Sequence, residues 1–135
     1  MAKFVLPFLT LLALSSLATA PGAQPTPACR VEPFQGATLP QGAVAHMKIF
    51  AVGASCSIRN WGVPSNRMNP AHSGSITLAP AHGTASFAAP DATYTPEPGF
   101  VGNDEFAYDA LAKGNLDQQV RLRVRVRVEV APGPR

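Results

Sequence analysis

Apolar and polar residues alternate strictly near the carboxyl-terminal end of the chain. In VRLRVRVRVEV, residues 120–130, valines and Leu122 hold the even positions, and Arg121, Arg123, Arg125, Arg127 and Glu129 hold the odd ones. A period of two is the period of a β-strand, so one face of this segment is apolar and the other carries four arginines. The same period marks SITLA (75–79), with Ile76 and Leu78 against Ser75, Thr77 and Ala79, and TASFA (84–88), with Ala85 and Phe87 against Thr84 and Ser86. Between them Pro80-Ala81-His82-Gly83 predicts a hairpin turn, the proline setting φ and the glycine free to take positive φ. ATYTP (92–96) predicts a short strand stopped by Pro96, whose missing N–H cannot feed a ladder. EFAYDAL (105–111) places Phe106 and Tyr108 on one face, Glu105, Ala107 and Asp109 on the other, and runs into a turn at Gly114-Asn115.

The first half of the chain has a weaker pattern. AHMKIFAV (45–52) has apolar residues on both faces, as a central strand would. A second short strand is expected over residues 56–59. NWGVPSNRMNPAHSG (60–74) is dense in turn formers and reads as a long loop, with Trp61 plugging one end of the core. Fourteen prolines and eleven glycines in 135 residues interrupt the chain too often for long helices, which makes an all-β protein the expectation.

The amino-terminal residues MAKFVLPFLTLLALSSLATA combine a cationic start at Lys3, an apolar run to Leu17 and small residues, the pattern of a secretory signal over 1–20. The apolar run falls short of the roughly 20 residues a membrane span requires. PGAQPTP (21–27) then reads as an extended leader, residues 28–130 as one domain, and 131–135 as a disordered tail. Export carries Cys29 and Cys56, the two cysteines, into an oxidising space, periplasmic or extracellular, where an even count predicts a disulfide. Their wide spacing fits no zinc pattern, and the residues ahead of Cys29 do not fit a lipidation signal.

APAHGT (79–84), YTPEPGFVGNDEFAY (94–108) and the terminal strand of alternating valines together resemble the bacterial immunoglobulin-like, cadherin-like domains repeated in large surface adhesins. The resemblance covers residues 74–130. It implies an antiparallel β-sandwich of about seven strands, in which Tyr94, Pro96, Gly99, Phe100, Gly102, Asp104, Phe106 and Tyr108 form the fold motif. Pro96 and Pro98 end a strand, Gly99 permits the reversal and Phe100 turns inward as a plug. Gly102 and Asp104 build a second turn in which the carboxylate accepts a backbone N–H, and Phe106 and Tyr108 resume the core. Adhesin repeats come in tandem, whereas one copy is present here. Asp91, Asp104, Asp109 and Asp117 are never two apart, so the paired calcium ligands of that family have no counterpart.

The arginine strand is then expected to pair with residues 104–111 in a register that sets Tyr108 opposite Leu122 and Phe106 opposite Val124. Asp109 then faces Arg121 and Glu105 faces Arg125. The remaining charge admits two readings: a solvated face that discourages edge aggregation, or a basic ladder, Arg121, Arg123, Arg125 and Arg127, for an acidic partner. Nucleic acid fits poorly, because no aromatic residues interleave with the arginines. The chain has eleven basic and eight acidic residues, of which the signal removes only Lys3, so long-range attraction is weak and binding must be local. His72 and His82 occupy similar turns and would bind a metal only if those turns met; His46 reads as structural. No nucleophile elbow, zinc-protease helix or phosphate loop is present. The expectation is a monomeric, secreted, non-catalytic module of the cell envelope, interacting or structural, with no cofactor and no membrane span, whose partner is an envelope protein or glycan in an adhesion-related role. The alternative is a metal-dependent or small secreted enzyme using the loop histidines.

Overall fold

A computed structural model of the chain describes residues 27–66 and 68–133, with 3, 15–17 and 22 besides. The expected signal and leader therefore fall almost wholly outside the described residues, as do Pro134 and Arg135 of the tail. Within them the fold is all β: β1 (Cys29–Val31), β2 (Ala43–Ile49), β3 (Cys56–Arg59), β4 (Ser73–Leu78), β5 (Gly83–Ala88), β6 (Asp91–Pro96), β7 (Gly102–Lys113) and β8 (Gln119–Val130). No helix among the described residues is long and apolar enough to cross a membrane. The strands make a five-stranded sheet in the order β1-β2-β8-β7-β4 and a three-stranded sheet in the order β3-β6-β5. The two sheets, tied by the disulfide, make a β-sandwich-like arrangement. The described residues form eight strands, in keeping with the about seven expected, although the sandwich is not wholly antiparallel, because β2 runs parallel to β8.

Strict alternation puts the core where the sequence places it. Leu122, Val124, Val126, Val128 and Val130 are buried, while the intervening arginines and Glu129 are exposed. Tyr94, Phe106, Tyr108, Met47 and Ile49 complete the fully buried centre. Three of these rings form a row, Tyr94 stacked on Phe106 at 5.7 Å and Phe106 on Tyr108 at 6.3 Å. Cys29 of β1 and Cys56 of β3 are bridged, their Cα atoms 5.9 Å apart, so the disulfide ties one sheet to the other.

Four local expectations are corrected. β2 is apolar on one face only: Ala43, Ala45, Met47 and Ile49 point inward, Val44, His46 and Lys48 outward, and the strand stops before Phe50 and Val52. β4 and β5 do not form a hairpin; they belong to different sheets, and the chain crosses between sheets at residues 79–82. The N–H groups of Ala81 and His82 go to the Asp104 carboxylate instead of closing a turn. Gly83 serves close packing, since a Cβ there would collide with the Thr95 carbonyl and lie 2.9 Å from the Tyr94 ring. Trp61 does not plug the core. It sits half-buried on its loop, while its neighbour Asn60 is buried and accepts the Tyr108 hydroxyl at 2.7 Å.

The fourth correction concerns register. β7 and β8 pair with Tyr108 opposite Val124 and Phe106 opposite Val126, two residues from the expected alignment. The connecting loop sets this: Gly114 donates to the Gln118 carbonyl at 2.8 Å, Asp117 N–H returns to Gly114 at 3.1 Å, and Asp117 takes φ 62°. Lys113 and Gln119 are therefore the last pair. A slip of two keeps every side chain on its face, which is why the expected core survives it.

Candidate functional site

Two places bring polar side chains together. The first is the corner between β6 and β7, where the fold motif lies. Pro96 is the last residue of β6. Glu97-Pro98-Gly99-Phe100 then reverses the chain, with Phe100 N–H bonded to the Glu97 carbonyl at 3.1 Å and Gly99 at φ 79°. Proline followed by a positive-φ glycine is the pattern of a type II turn. Phe100 packs against the core and stacks on His82 at 4.5 Å. Gly102 and Asp104 belong to β7 itself, not to a second turn, although Gly102 does take φ 140°. Asp104 accepts hydrogen bonds as expected, but mainly from across the sandwich. Oδ1 takes Ala81 N–H at 3.0 Å and Glu105 N–H at 2.8 Å; Oδ2 takes His82 N–H and the Tyr94 hydroxyl, both at 2.8 Å.

Burial works to raise the Asp104 carboxyl, but the bonds from Glu105, Tyr94, His82 and Ala81 outweigh it and hold the group below the usual aspartate range. Its partner Tyr94 is driven far above the usual phenol range, first by burial and then by Asp104. Burial raises Tyr108 as well, against a smaller opposing effect of its bond to Asn60. These are the two tyrosines of the chain. The folded protein is therefore expected to show no tyrosinate absorbance at about pH 11, one unit above the ordinary tyrosine value of about 10. Both phenols favour the fold while neutral, and this contribution is lost as pH rises above the unfolded value. Absorbance at alkaline pH should appear together with loss of the β-sheet circular dichroism; a separate, earlier titration would show a phenol open to water.

The second place is the outer face of the five-stranded sheet. Arg121, Arg123, Arg125 and Arg127 all project from it. The expected ion pairs form, Arg121 with Asp109 at 3.4 Å and Arg125 with Glu105 at 3.0 Å. Each runs diagonally, since Asp109 lies directly opposite Arg123 and Glu105 directly opposite Arg127. Such exposed pairs contribute a few tenths of a kcal/mol each, about 0.2–1 at most. The diagonal choice leaves the directly opposed arginines without a carboxylate: Arg123 donates to the Pro40 carbonyl at 3.0 Å, and Arg127 has no hydrogen-bond or ion-pair partner among the described residues. Glu105 Oε1, although 3.0 Å from Arg125 Nη1, receives no well-directed hydrogen bond and is shielded from water.

Arg127 opens on a groove of about 800 Å³ that crosses β1, β2, β8 and β7. Arg30 and Glu32 form one side, His46, Lys48 and Phe50 the floor beyond β2, and Asn103, Glu105 and Glu129 the far side. His46 thus faces outward in register with Arg127 and is not a core residue. Lys48 pairs with Glu129 at 3.6 Å and lies 5.7 Å from the centre of the Phe50 ring. An exposed cation over an aromatic ring contributes only about 0.5–1 kcal/mol, so the half-buried ring remains open to exchange of that contact.

A scan against protein-family models, a search of curated proteins and a search of solved structures each return no match. The geometry therefore carries the functional argument.

Charge is unevenly divided over the domain. The outer face of the large sheet and its rim carry Arg30, Lys48 and the four arginines of β8 against Glu32, Glu105, Asp109 and Glu129. From residue 27 onward, Lys113 at the end of β7 also lies on this side, and the other described charges are Arg59 against Asp91, Glu97, Asp104 and Asp117, so among the described residues the balance is positive on that face and negative elsewhere. The histidines, by contrast, are not brought together. His72 N–H bonds to Leu111 and His82 N–H to Asp104, seven residues apart on β7 and so about 23 Å along the strand. No group of three potential metal ligands gathers among the described residues. At the His72 end, Met68 and Leu116 are 90% and 84% exposed on loops joined by the Val63–Gly114 bridge. Neither the diagonal pairing nor the groove is legible in the sequence, because the first depends on the register that the 114–118 loop sets and the second on the pairing of β1, β2 and β8 as well.

Proposed function

We propose that the protein is a secreted, non-catalytic interaction module of the cell envelope, related to the bacterial immunoglobulin-like, cadherin-like domains, and that it meets its partner through the outer face of the five-stranded sheet. The observation that carries this reading is the separation of charge: the β8 arginines make one face basic within a domain whose remaining described surface is acidic. The strand order of the sandwich and the disulfide support the relationship and suit an oxidising compartment. The distance between His72 and His82 supports this reading over one in which the two loop histidines share a site. Complementary surface charge steers encounter and fixes register, and it is screened by salt.

The test is capture from envelope extract by the immobilised domain and by a variant with Arg121, Arg123, Arg125 and Arg127 all changed to Glu. The wild-type domain should retain its partner at low salt and release it on the order of 0.5 M salt, where the screening length falls below about 5 Å. The variant should retain nothing. Equal capture by both would exclude the face as the contact.

A further inference from the structure

We infer that the groove beside Arg127 is a binding site for an acidic saccharide, with Arg127 reading a sugar carboxylate, Phe50 supporting a pyranose ring, and Glu105 with Asn103 reading hydroxyls. This deepens the reading of the outer face as a contact surface and rests on it.

Three features of the groove specify the ligand. Arg127 is the β8 arginine whose guanidinium meets no acceptor among the described residues, because the opposing Glu105 is turned to Arg125. A planar guanidinium with its donors unused matches a carboxylate, which it can hold through two parallel hydrogen bonds. Glu105 is the complementary feature. Its Oε1 is shielded and held 3.0 Å from Arg125 Nη1, whereas the rest of the carboxylate is partly exposed and leaves Oε2 to accept an incoming hydroxyl. Phe50 lies on the other side of Arg127, half-buried beyond the end of β2, and presents a ring to the same groove. A pyranose offers that combination in one molecule: an apolar C–H face, equatorial hydroxyls and, in a uronic acid, one carboxylate.

The shape and charge of the groove narrow the class further. It is open along its length and crosses four strands, about 14 Å at the usual interstrand spacing. That suits a few units of an extended chain better than an enclosed small molecule. Glu32, Glu105 and Glu129 line it alongside the cations. A nucleic acid or polyphosphate would bring its closely spaced phosphates up against these carboxylates, whereas a chain with one charge per ring can place its carboxylate at Arg127 and its hydroxyls at the glutamates.

The experiment is calorimetric titration of the folded domain with oligogalacturonate of about six units, and with the same oligomer after reduction of its carboxyl groups. The acidic oligomer should bind, and the neutral one should bind at least about tenfold more weakly, the loss expected for one charge-assisted contact. Arg127→Ala and Phe50→Ala should each weaken binding by about tenfold or more. Arg121→Ala, on the same face but about 20 Å along β8, should change it less than twofold. All three positions are at least partly exposed, and thermal melting checks that each variant folds. No binding of the acidic oligomer, or equal binding of its neutral counterpart, overturns the site. If Arg121→Ala weakens binding as much as Arg127→Ala while Phe50→Ala has no effect, the basic face is the contact and the groove is not. If envelope capture also survives reversal of the four arginines, the reading of the face falls with it.

Discussion

Replacing Cys29 and Cys56 together by serine is expected to lower the stability of the domain by about 2–5 kcal/mol, the range for a native disulfide in a small secreted domain. The bridge closes a segment with a sequence separation of 27 and joins β1 of the large sheet to β3 of the small one. β1 is only three residues long and pairs with β2 through three residues, so little else holds the start of the domain against the sandwich. A single domain of this size has roughly 5–15 kcal/mol of stability in total, so the loss would remove a large share. Urea denaturation of the wild-type protein, with and without reductant, against the double variant is the measurement. The reduced wild type and the variant should share one midpoint, well below that of the oxidised protein. A variant as stable as the oxidised protein would show that the sandwich is held without its staple.

How far this architecture can be read from the chain depends on whether the deciding interaction is local. In residues 120–130 each residue's side follows from its own parity, so the inward valines and outward arginines of β8 are legible directly, as are Phe106 and Tyr108 on β7. Cys29 and Cys56 are legible by count and compartment. Sheet membership is not, because it is decided between distant segments. Pro80 through Gly83 has the local chemistry of a hairpin, yet the Asp104 carboxylate, more than twenty residues later, takes the N–H groups of Ala81 and His82 and directs the chain to the other sheet. The two-residue register error has a similar origin. Parity permits both alignments, and the choice falls to hydrogen bonds inside the 114–118 loop. The ion pairs with Asp109 and Glu105 survive that error because a diagonal neighbour two residues away is still within reach of an arginine. Arg127 lacks a carboxylate in either alignment, since it would face Asn103 in the expected one and faces a Glu105 turned to Arg125 in the observed one. Its place beside Phe50 comes from the parallel pairing of β2 with β8, again a contact between distant segments.

The Asp104 corner should show the second large effect. Asp104→Ala removes the acceptor of four hydrogen bonds, leaving three N–H groups and the Tyr94 hydroxyl to find water at the edge of the core. With about 1–3 kcal/mol for each donor left wholly unsatisfied, and some of these donors reachable by water, the net cost should be about 2–4 kcal/mol. Asp104→Asn should cost less. Its amide oxygen keeps two of the bonds, and the Tyr94 hydroxyl can turn to accept from the amide nitrogen, but one backbone N–H must then face an N–H. The pH dependence separates the charge from the shape. Because the folded carboxyl lies below its ordinary value of about 3.9, its stabilisation is complete above that value and is lost as pH falls through the folded value, where both states are protonated. Wild-type stability should therefore fall more steeply than that of Asp104→Asn as pH drops below about 4.5, and the two denaturation midpoints should converge in acid. Parallel curves would mean that the carboxylate binds no more tightly in the folded chain than in the unfolded one, and that the crossing between the sheets is held by packing alone.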